Sequence, residues 1–206
     1  MNQIYWQNQL FTFLLYTEGK GLKKKILDCG AGGKTPPLGI FKNYGYETHG
    51  VDCSENALEK AAEFEKKHNL NLNILKGDMR NLPFKDREFS YAYSYNSIFH
   101  MSKEDIKTSI KEIHRVLTKG GYAFINFPSC NDERATVGKK VGKGEYLQFE
   151  FGEDVLHSYF DINEAEDNGF FEGFNIIMKE NSIRNGFRQN GDKVTKGYID
   201  YILEKK

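Results

Sequence analysis

The sequence predicts an α/β protein: a doubly wound, mostly parallel seven-stranded sheet with helices on both faces and a C-terminal antiparallel hairpin. Three observations predict it. A strand at residues 24–27, apolar at Ile26-Leu27, leads into Asp28-Cys29-Gly30-Ala31-Gly32-Gly33. Glycines directly after a strand let the backbone turn sharply and approach a ligand with no Cβ in the way. Two further apolar stretches close in the same style, at His49-Gly50-Val51-Asp52 and Lys76-Gly77-Asp78-Met79. Strand-like and helix-like segments then alternate regularly along the chain.

The elements follow in order. Within an N-terminal segment 1–20, Ile4, Leu10, Phe11, Leu14 and Leu15 fall mostly at helical spacing, which predicts an amphipathic helix that packs on the core or over a bound ligand. Pro36-Pro37 suits the first turn of a helix reaching Tyr44, where a missing N–H costs least, and Gly45 closes it. Ser54 is placed to cap a helix through Ala57, Leu58, Ala61, Ala62 and Phe64 to Asn69. Residues 72–76 and 89–95 read as the third and fourth strands. Ser102-Lys103-Glu104-Asp105 resembles a capping box that opens a helix to Leu117, with Gly120-Gly121 expected to stop it before a fifth strand at 122–127. After Pro128 the period is lost, and residues 128–156 read as an inserted loop or hairpin at the ligand edge of the sheet. Asp161-Ile162-Asn163-Glu164 opens a short helix ended by Gly169, and residues 174–183 and 197–203 alternate as two terminal strands. The whole, residues 1–206, is expected to be a single domain.

Composition narrows the function. Lys plus Arg and Asp plus Glu both total 29, so the net charge is zero and no global basic field exists to hold a polyanion. Nucleic acid is therefore disfavoured as a partner. Cys29, Cys53 and Cys130 show neither a paired framework nor metal-ligand spacing, so no metal is expected and a reducing, cytoplasmic setting is the default. The apolar N-terminus lacks a basic leader and is too short to span a bilayer. The 16 Phe and 12 Tyr cluster after residue 84, and most are expected to fill the core.

The glycine spacing separates two kinds of nucleotide binder. A dinucleotide fingerprint needs Gly-x-Gly-x-x-Gly, and Thr35 stands where the third glycine belongs. Asp52, by contrast, lies about 24 residues after Asp28, a distance suited to gripping ribose hydroxyls at the tip of the second strand. A carboxylate has two oxygens and accepts from both hydroxyls of one sugar. The competing reading of Asp52 is a helix-capping role just ahead of Ser54.

The series Ile26-Leu27-Asp28-Cys29-Gly30-Ala31-Gly32, Val51-Asp52-Cys53-Ser54, Gly77-Asp78-Met79-Arg80-Asn81-Leu82-Pro83-Phe84 and Arg115-Val116-Leu117-Thr118-Lys119-Gly120-Gly121 resembles the class I S-adenosylmethionine-dependent methyltransferases. The resemblance covers residues 22 to 127, roughly half of the chain, and implies a Rossmann-like methyltransferase fold with S-adenosylmethionine as cofactor. It places Asp28 near the methionyl ammonium, with Gly30, Ala31 and Gly32 supplying backbone at the amino-acid end and Ser94 offering a carbonyl or hydroxyl to the same group. It places Asp78 and Met79 at the adenine, the acid accepting from the exocyclic amine and the thioether lying against the ring, with Cys53 packed on the same base. One departure stands out: Lys34 occupies the last glycine position of the family's Asp-x-Gly-x-Gly-x-Gly pattern, and Gly33 lies one residue earlier.

His100 falls just beyond the fourth strand, where many small-molecule members of this family carry a histidine, and is the candidate base for an oxygen or nitrogen nucleophile. A structural histidine ahead of the Ser102 cap is the competing reading. Tyr95 and His157 are weaker candidates. Residues 94–97 read Ser-Tyr-Asn-Ser, without the Asn-Pro-Pro-Tyr of enzymes acting on planar amide or adenine nitrogens, and no Pro-Cys pair is present. The resulting expectation is methyl transfer to a small-molecule O, N or C nucleophile, by a monomer or homodimer with no membrane partner. The alternatives are an RNA or protein methyltransferase, or a non-catalytic S-adenosylmethionine-binding protein.

Overall fold

A computed structural model describes residues 8–150, 152–188 and 190–206. Strands β1 (Lys25–Cys29), β2 (Glu47–Asp52), β3 (Ile74–Lys76), β4 (Phe89–Ser94), β5 (Leu117–Pro128), β9 (Phe174–Phe187) and β10 (Lys193–Lys205) form one seven-stranded sheet in the order β3-β2-β1-β4-β5-β10-β9. The pairs β3/β2, β2/β1, β1/β4 and β4/β5 are parallel, while β10 runs antiparallel to both β5 and β9. This is the doubly wound sheet with a terminal hairpin that the sequence predicts. The chain order reverses beside β1, so the carboxyl ends of β1, β2 and β4 converge on a crevice suited to a ligand.

Helix α1 (Asn8–Thr17) buries Leu10, Phe13 and Leu14 and leaves Leu15 exposed, so it packs on the sheet rather than standing off as a lid. Ile4 lies outside the described residues. Phe13 meets Phe41 of α2 (Leu38–Asn43) and Phe124 of β5, which ties α1 and α2 to one sheet face. On the other face α4 (Lys103–Val116) inserts Ile106, Ile110 and Ile113 into a core shared with Leu27, Ala92, Phe127 and Tyr201. Phe127 stacks on Phe160 with ring centroids 4.2 Å apart, so much of the aromatic content is core. Every residue of β4 is buried, as a central strand covered on both faces requires.

The caps form where the sequence puts them. Ser54 accepts from the Ala57 N–H at the start of α3 (Glu55–His68), and Asn69 ends that helix in the left-handed region at φ 52°. Ser102 accepts from the Asp105 N–H at the start of α4, while the Asp105 carboxylate takes the Ser102 hydroxyl proton at 3.0 Å. Ser102→Ala removes both contacts and is expected to destabilise the protein by about 1 kcal/mol. Urea unfolding measures it; an unchanged midpoint would show that the cap contributes nothing.

Two expectations need correction. Gly120-Gly121 does not stop α4: Leu117 is already extended at φ −75°, ψ 142° and opens β5 directly. The glycines instead accommodate a bulge, with Gly120 at φ +70°, where the pairing jumps from Phe89↔Leu117 to Tyr91↔Tyr122. The segment after β5 is more than a loop or hairpin. It is a three-stranded antiparallel meander of β6 (Lys139–Gly142), β7 (Glu145–Glu150) and β8 (Glu153–Ser158), set at the carboxyl end of the main sheet. The Ser158 N–H donates to the Phe99 carbonyl, and a bridge between Ser129 and Phe160 anchors the return. A short α5 (Glu164–Asp167) then leads to the terminal hairpin.

Candidate functional site

The glycine turn after β1 is built so that no side chain fits. Gly30 sits at φ +105°, and a Cβ there would lie 2.0 Å from Ser97 Oγ. A Cβ on Gly32 would meet the Ala57 Cβ at 2.5 Å and Asp52 Oδ2 at 2.6 Å. The Gly30 and Ala31 N–H groups both donate to the Val51 carbonyl, locking the turn to the end of β2. Gly33 supplies the positive φ, +106°, that the shifted glycine pattern promised, and its N–H donates to the Ala57 carbonyl at 2.8 Å. Lys34 is exposed and lines a separate cleft with Lys60, Glu63 and Lys67, away from the turn.

Asp52 ends β2 with both carboxylate oxygens engaged. Oδ2 accepts the Gly32 N–H at 2.8 Å and Oδ1 accepts the Ser54 N–H at 2.9 Å. Each oxygen retains a second lone pair, which leaves acceptor capacity for a ligand hydroxyl, while the helix cap itself is Ser54 rather than Asp52. Gly30, Asp52, Cys53, Asp78 and Met79 come together on one cleft of about 330 Å³, with Ser97, His100 and Met101 on its far side. Met79 is half-buried against the core behind this cleft.

Asp28, Ala31, Gly32 and Ser94 do not line the cleft. Asp28 is 1% exposed, and its Oδ2 has no hydrogen-bond partner. Burial pushes its carboxyl up to about 8, against the Tyr93 hydroxyl, which favours the charged form, and with Asp52 adding to the rise. The Ser94 hydroxyl donates to the Cys29 carbonyl at 2.7 Å and accepts from the Ile98 N–H, so it stitches β4 to β1. Asp78 is held by a residue to which the sequence reading gave no role: Arg80 takes both its oxygens, with Nη2 at 2.6 Å from Oδ2. That partner holds the Asp78 carboxyl below its ordinary range. Arg80 Nη1 also lies 3.4 Å from Asp105, so one guanidinium spans two acids on the cleft wall.

His100 lines this cleft and also a second one, of about 220 Å³, formed with Asn96, Phe99, Pro128, Asp132, Arg134, Glu150, His157, Tyr159, Lys196 and Tyr198. The two ligand spaces meet at its imidazole. The ring packs edge-on against His157, with centroids 4.5 Å apart. Desolvation in the concave wall, with the neighbouring His157, lowers its pKa to about 4, and a hydrogen bond to the Asn96 backbone works the other way. Burial lowers His157 too, opposed by Glu150, whose Oε2 lies 3.2 Å from Nε2 without hydrogen-bonding geometry. Tyr95 stands apart, donating to Gln9 Oε1 of α1 at 3.3 Å. Arg134, Glu150, Lys196 and Tyr198 carry no sequence signal, because β7, β10 and the loop between β5 and β6 assemble them only in three dimensions.

The family described as a methyltransferase domain matches residues 26–121, the span from β1 to the bulge of β5. The demethylmenaquinone methyltransferase of Staphylococcus carnosus is 35% identical over 147 residues, which are 71% of this chain and 58% of that protein. The chain belongs to the class I S-adenosylmethionine-dependent methyltransferases. A second relative, the sterol 24-C-methyltransferase of Pneumocystis carinii, is 29% identical over 162 residues, 75% of this chain and 41% of that protein. The chain thus spans about half the length of the curated relatives it matches. In fold it resembles the structure of an S-adenosylmethionine-dependent methyltransferase from Methanosarcina mazei, with a TM-score of 0.73 at 20% identity over 99% of both chains. Among the described residues of the methyltransferase, no helix is long and apolar enough to cross a membrane.

The residues present fit the family's cofactor. A turn that bars a Cβ at Gly30 and Gly32, an acid at the tip of β2 and a buried carboxyl oxygen of Asp28 without a partner behind the turn suit a nucleoside joined to an amino acid.

Proposed function

We propose that this chain moves a methyl group from S-adenosylmethionine to a small-molecule nucleophile. The observation that supports it most is the meeting of two clefts at His100, one walled by the glycine turn and Asp52, the other by the meander. In this reading Asp52 holds the ribose hydroxyls, and Met79 and Cys53 receive the adenine. Asp78 accepts from the exocyclic amine on whichever oxygen Arg80 yields. Gly30, Ala31 and Gly32 shape the backbone at the amino-acid end, and Asp28, protonated and buried behind the turn, supports that backbone without facing the ligand. Ser94 serves that end by holding the Cys29 carbonyl in place.

When bound, the cofactor supplies an electrophilic methyl on a sulfonium: the acceptor's lone pair forms the new bond as the carbon–sulfur bond breaks, and those electrons return to sulfur. The protein's part is alignment and exclusion of water. His100 is neutral at physiological pH and takes the proton of an oxygen or nitrogen nucleophile on the ring nitrogen not tied to Asn96.

Isothermal titration calorimetry with S-adenosylhomocysteine, using NAD as the control titrant, tests the cofactor. Micromolar or tighter binding of the first alone, on the order of −8 kcal/mol, is expected. Binding of NAD alone, or of neither, would overturn the reading. His100→Ala is expected to leave that affinity within about threefold and to lower turnover on the order of tenfold, below the usual 10²–10⁴ for a general base. The contribution is small because a base held near pH 4 has little proton affinity. Turnover of the unaltered protein should fall only as pH drops through about 4, where His100 becomes charged, and stay flat from pH 6 to 8. An acid limb near 6.5 would overturn the lowered pKa, and unchanged turnover in His100→Ala would remove the base role.

A further inference from the structure

The second cleft has an uneven supply of hydrogen-bonding groups. Its two carboxylates already accept from protein donors on three of their four oxygens. Asp132 Oδ1 accepts the Arg134 N–H at 2.9 Å, and Oδ2 accepts the Gly197 N–H at 3.2 Å. Glu150 Oε1 binds Arg134 Nη1, and Oε2 faces His157. The two cations are not occupied to the same degree. Among the described residues, the Arg134 guanidinium has only Glu150 as a side-chain partner, through Nη1, which leaves Nε and Nη2. Lys196 Nζ lies 3.6 Å from Asp132 and 3.8 Å from Glu133, too far for hydrogen bonds, with its side chain 39% exposed. The uncommitted donors of the cleft are therefore cationic.

We propose that the second cleft takes a compact acceptor bearing one carboxylate, seated on the free donors of Arg134 and Lys196, with the group to be methylated turned toward His100. The assignment rests on the methyl-transfer reading above and names the substrate class for it. Arginine's fork matches a carboxylate in two parallel hydrogen bonds, and a lysine beside it adds a point charge. A single negative charge suits the site better than two, because Asp132 and Glu150 border the same cations and would repel a dianion. Size points the same way: about 220 Å³ is below the roughly 300–1,000 Å³ of pockets that enclose drug-sized ligands. Phe99, Pro128 and Tyr198 give the remaining wall enough apolar surface for a small organic body. Large apolar acceptors such as sterols find charged walls here instead of a greasy slot.

The test is titration of benzoate, benzamide and inorganic phosphate into the S-adenosylhomocysteine-saturated protein, followed by NMR of arginine Nε–H and histidine ring signals. Benzoate is expected to shift Arg134 and His157 at least tenfold more tightly than neutral benzamide, and more tightly than phosphate. Arg134→Gln and the more exposed Lys196→Gln are each expected to weaken benzoate at least tenfold, with Arg134→Lys recovering part of the loss and S-adenosylhomocysteine affinity unchanged in all three. Equal binding of benzoate and benzamide would overturn the proposal, as would benzoate binding that survives both glutamine variants. Tighter binding of phosphate would overturn the choice of a monoanion. If S-adenosylhomocysteine itself fails to bind, the methyl-transfer reading fails, while the benzoate titration of the free protein still decides whether an anion site exists.

Discussion

Replacing Asp52 with alanine is expected to weaken S-adenosylhomocysteine binding about 100-fold or more, on the order of 3 kcal/mol. Two losses add. The carboxylate's free lone pairs, available to ribose hydroxyls, disappear, and charge-assisted hydrogen bonds contribute about 1.5–3 kcal/mol. The Gly32 and Ser54 N–H groups, now 2.8 and 2.9 Å from the carboxylate, also lose their acceptor, so the turn loosens on the side that faces the cofactor. Asp52→Asn separates the two. Its amide oxygen still serves one N–H, but its NH₂ meets the other donor to donor, so an intermediate affinity is expected. Calorimetry supplies the affinities and a thermal melt confirms that each variant folds. Unchanged affinity in a folded Asp52→Ala protein would end the ribose assignment.

The Asp28 contribution to stability should fall as pH rises from about 4 to 8, and Asp28→Asn should remove it, while His100, lowered to about 4, contributes with the opposite sign below about 6.5. Burial raises the folded-state pKa of Asp28 from 3.8 to about 8. Between those values the folded protein holds a proton that the unfolded chain has released, so raising pH favours unfolding. The same sign applies to Asp200, 1% exposed on β10, which burial and then Glu180 push up to about 7, against Arg184 and Asn126. Each pKa unit corresponds to about 1.4 kcal/mol, so Asn at position 28 should gain on the order of 2–5 kcal/mol relative to Asp on going from pH 5 to 8. Asp200 leaves a residual slope that the double variant flattens. Urea unfolding at the two pH values measures this. An identical pH slope in the Asp28→Asn protein would mean that the buried carboxyl ionises freely in the fold.

The strand ends were legible because the requirement there is backbone geometry, and backbone geometry selects residue types. Gly30 and Gly33 sit at positive φ, and Ser54, Asn69 and Ser102 cap as their side-chain chemistry dictates. Gly120-Gly121 was misread for a related reason. A glycine at φ +70° suits a helix end and a strand bulge equally, and only the pairing of β5 with β4 decides between them. Ser94 and Asp78 show a different limit: sequence places a polar group near a ligand but does not reveal that Cys29 or Arg80 reaches it first. The second cleft was beyond reach altogether. Arg134, Glu150, His157 and Lys196 share no spacing, and they come from the loop before β6, from the meander and from β10.

The meander forms a sheet of its own and joins the main sheet through few backbone contacts, chiefly Ser158 to Phe99 and the Ser129–Phe160 bridge. The molecule is thereby modular in what it recognises. The cleft proposed for the cofactor is woven into β1, β2 and β3, where almost any change disturbs the fold, whereas one wall of the other cleft is an appendage whose residues can be exchanged as a cassette. New acceptors are within reach of substitutions or grafts between residues 132 and 158 that leave the transfer chemistry untouched.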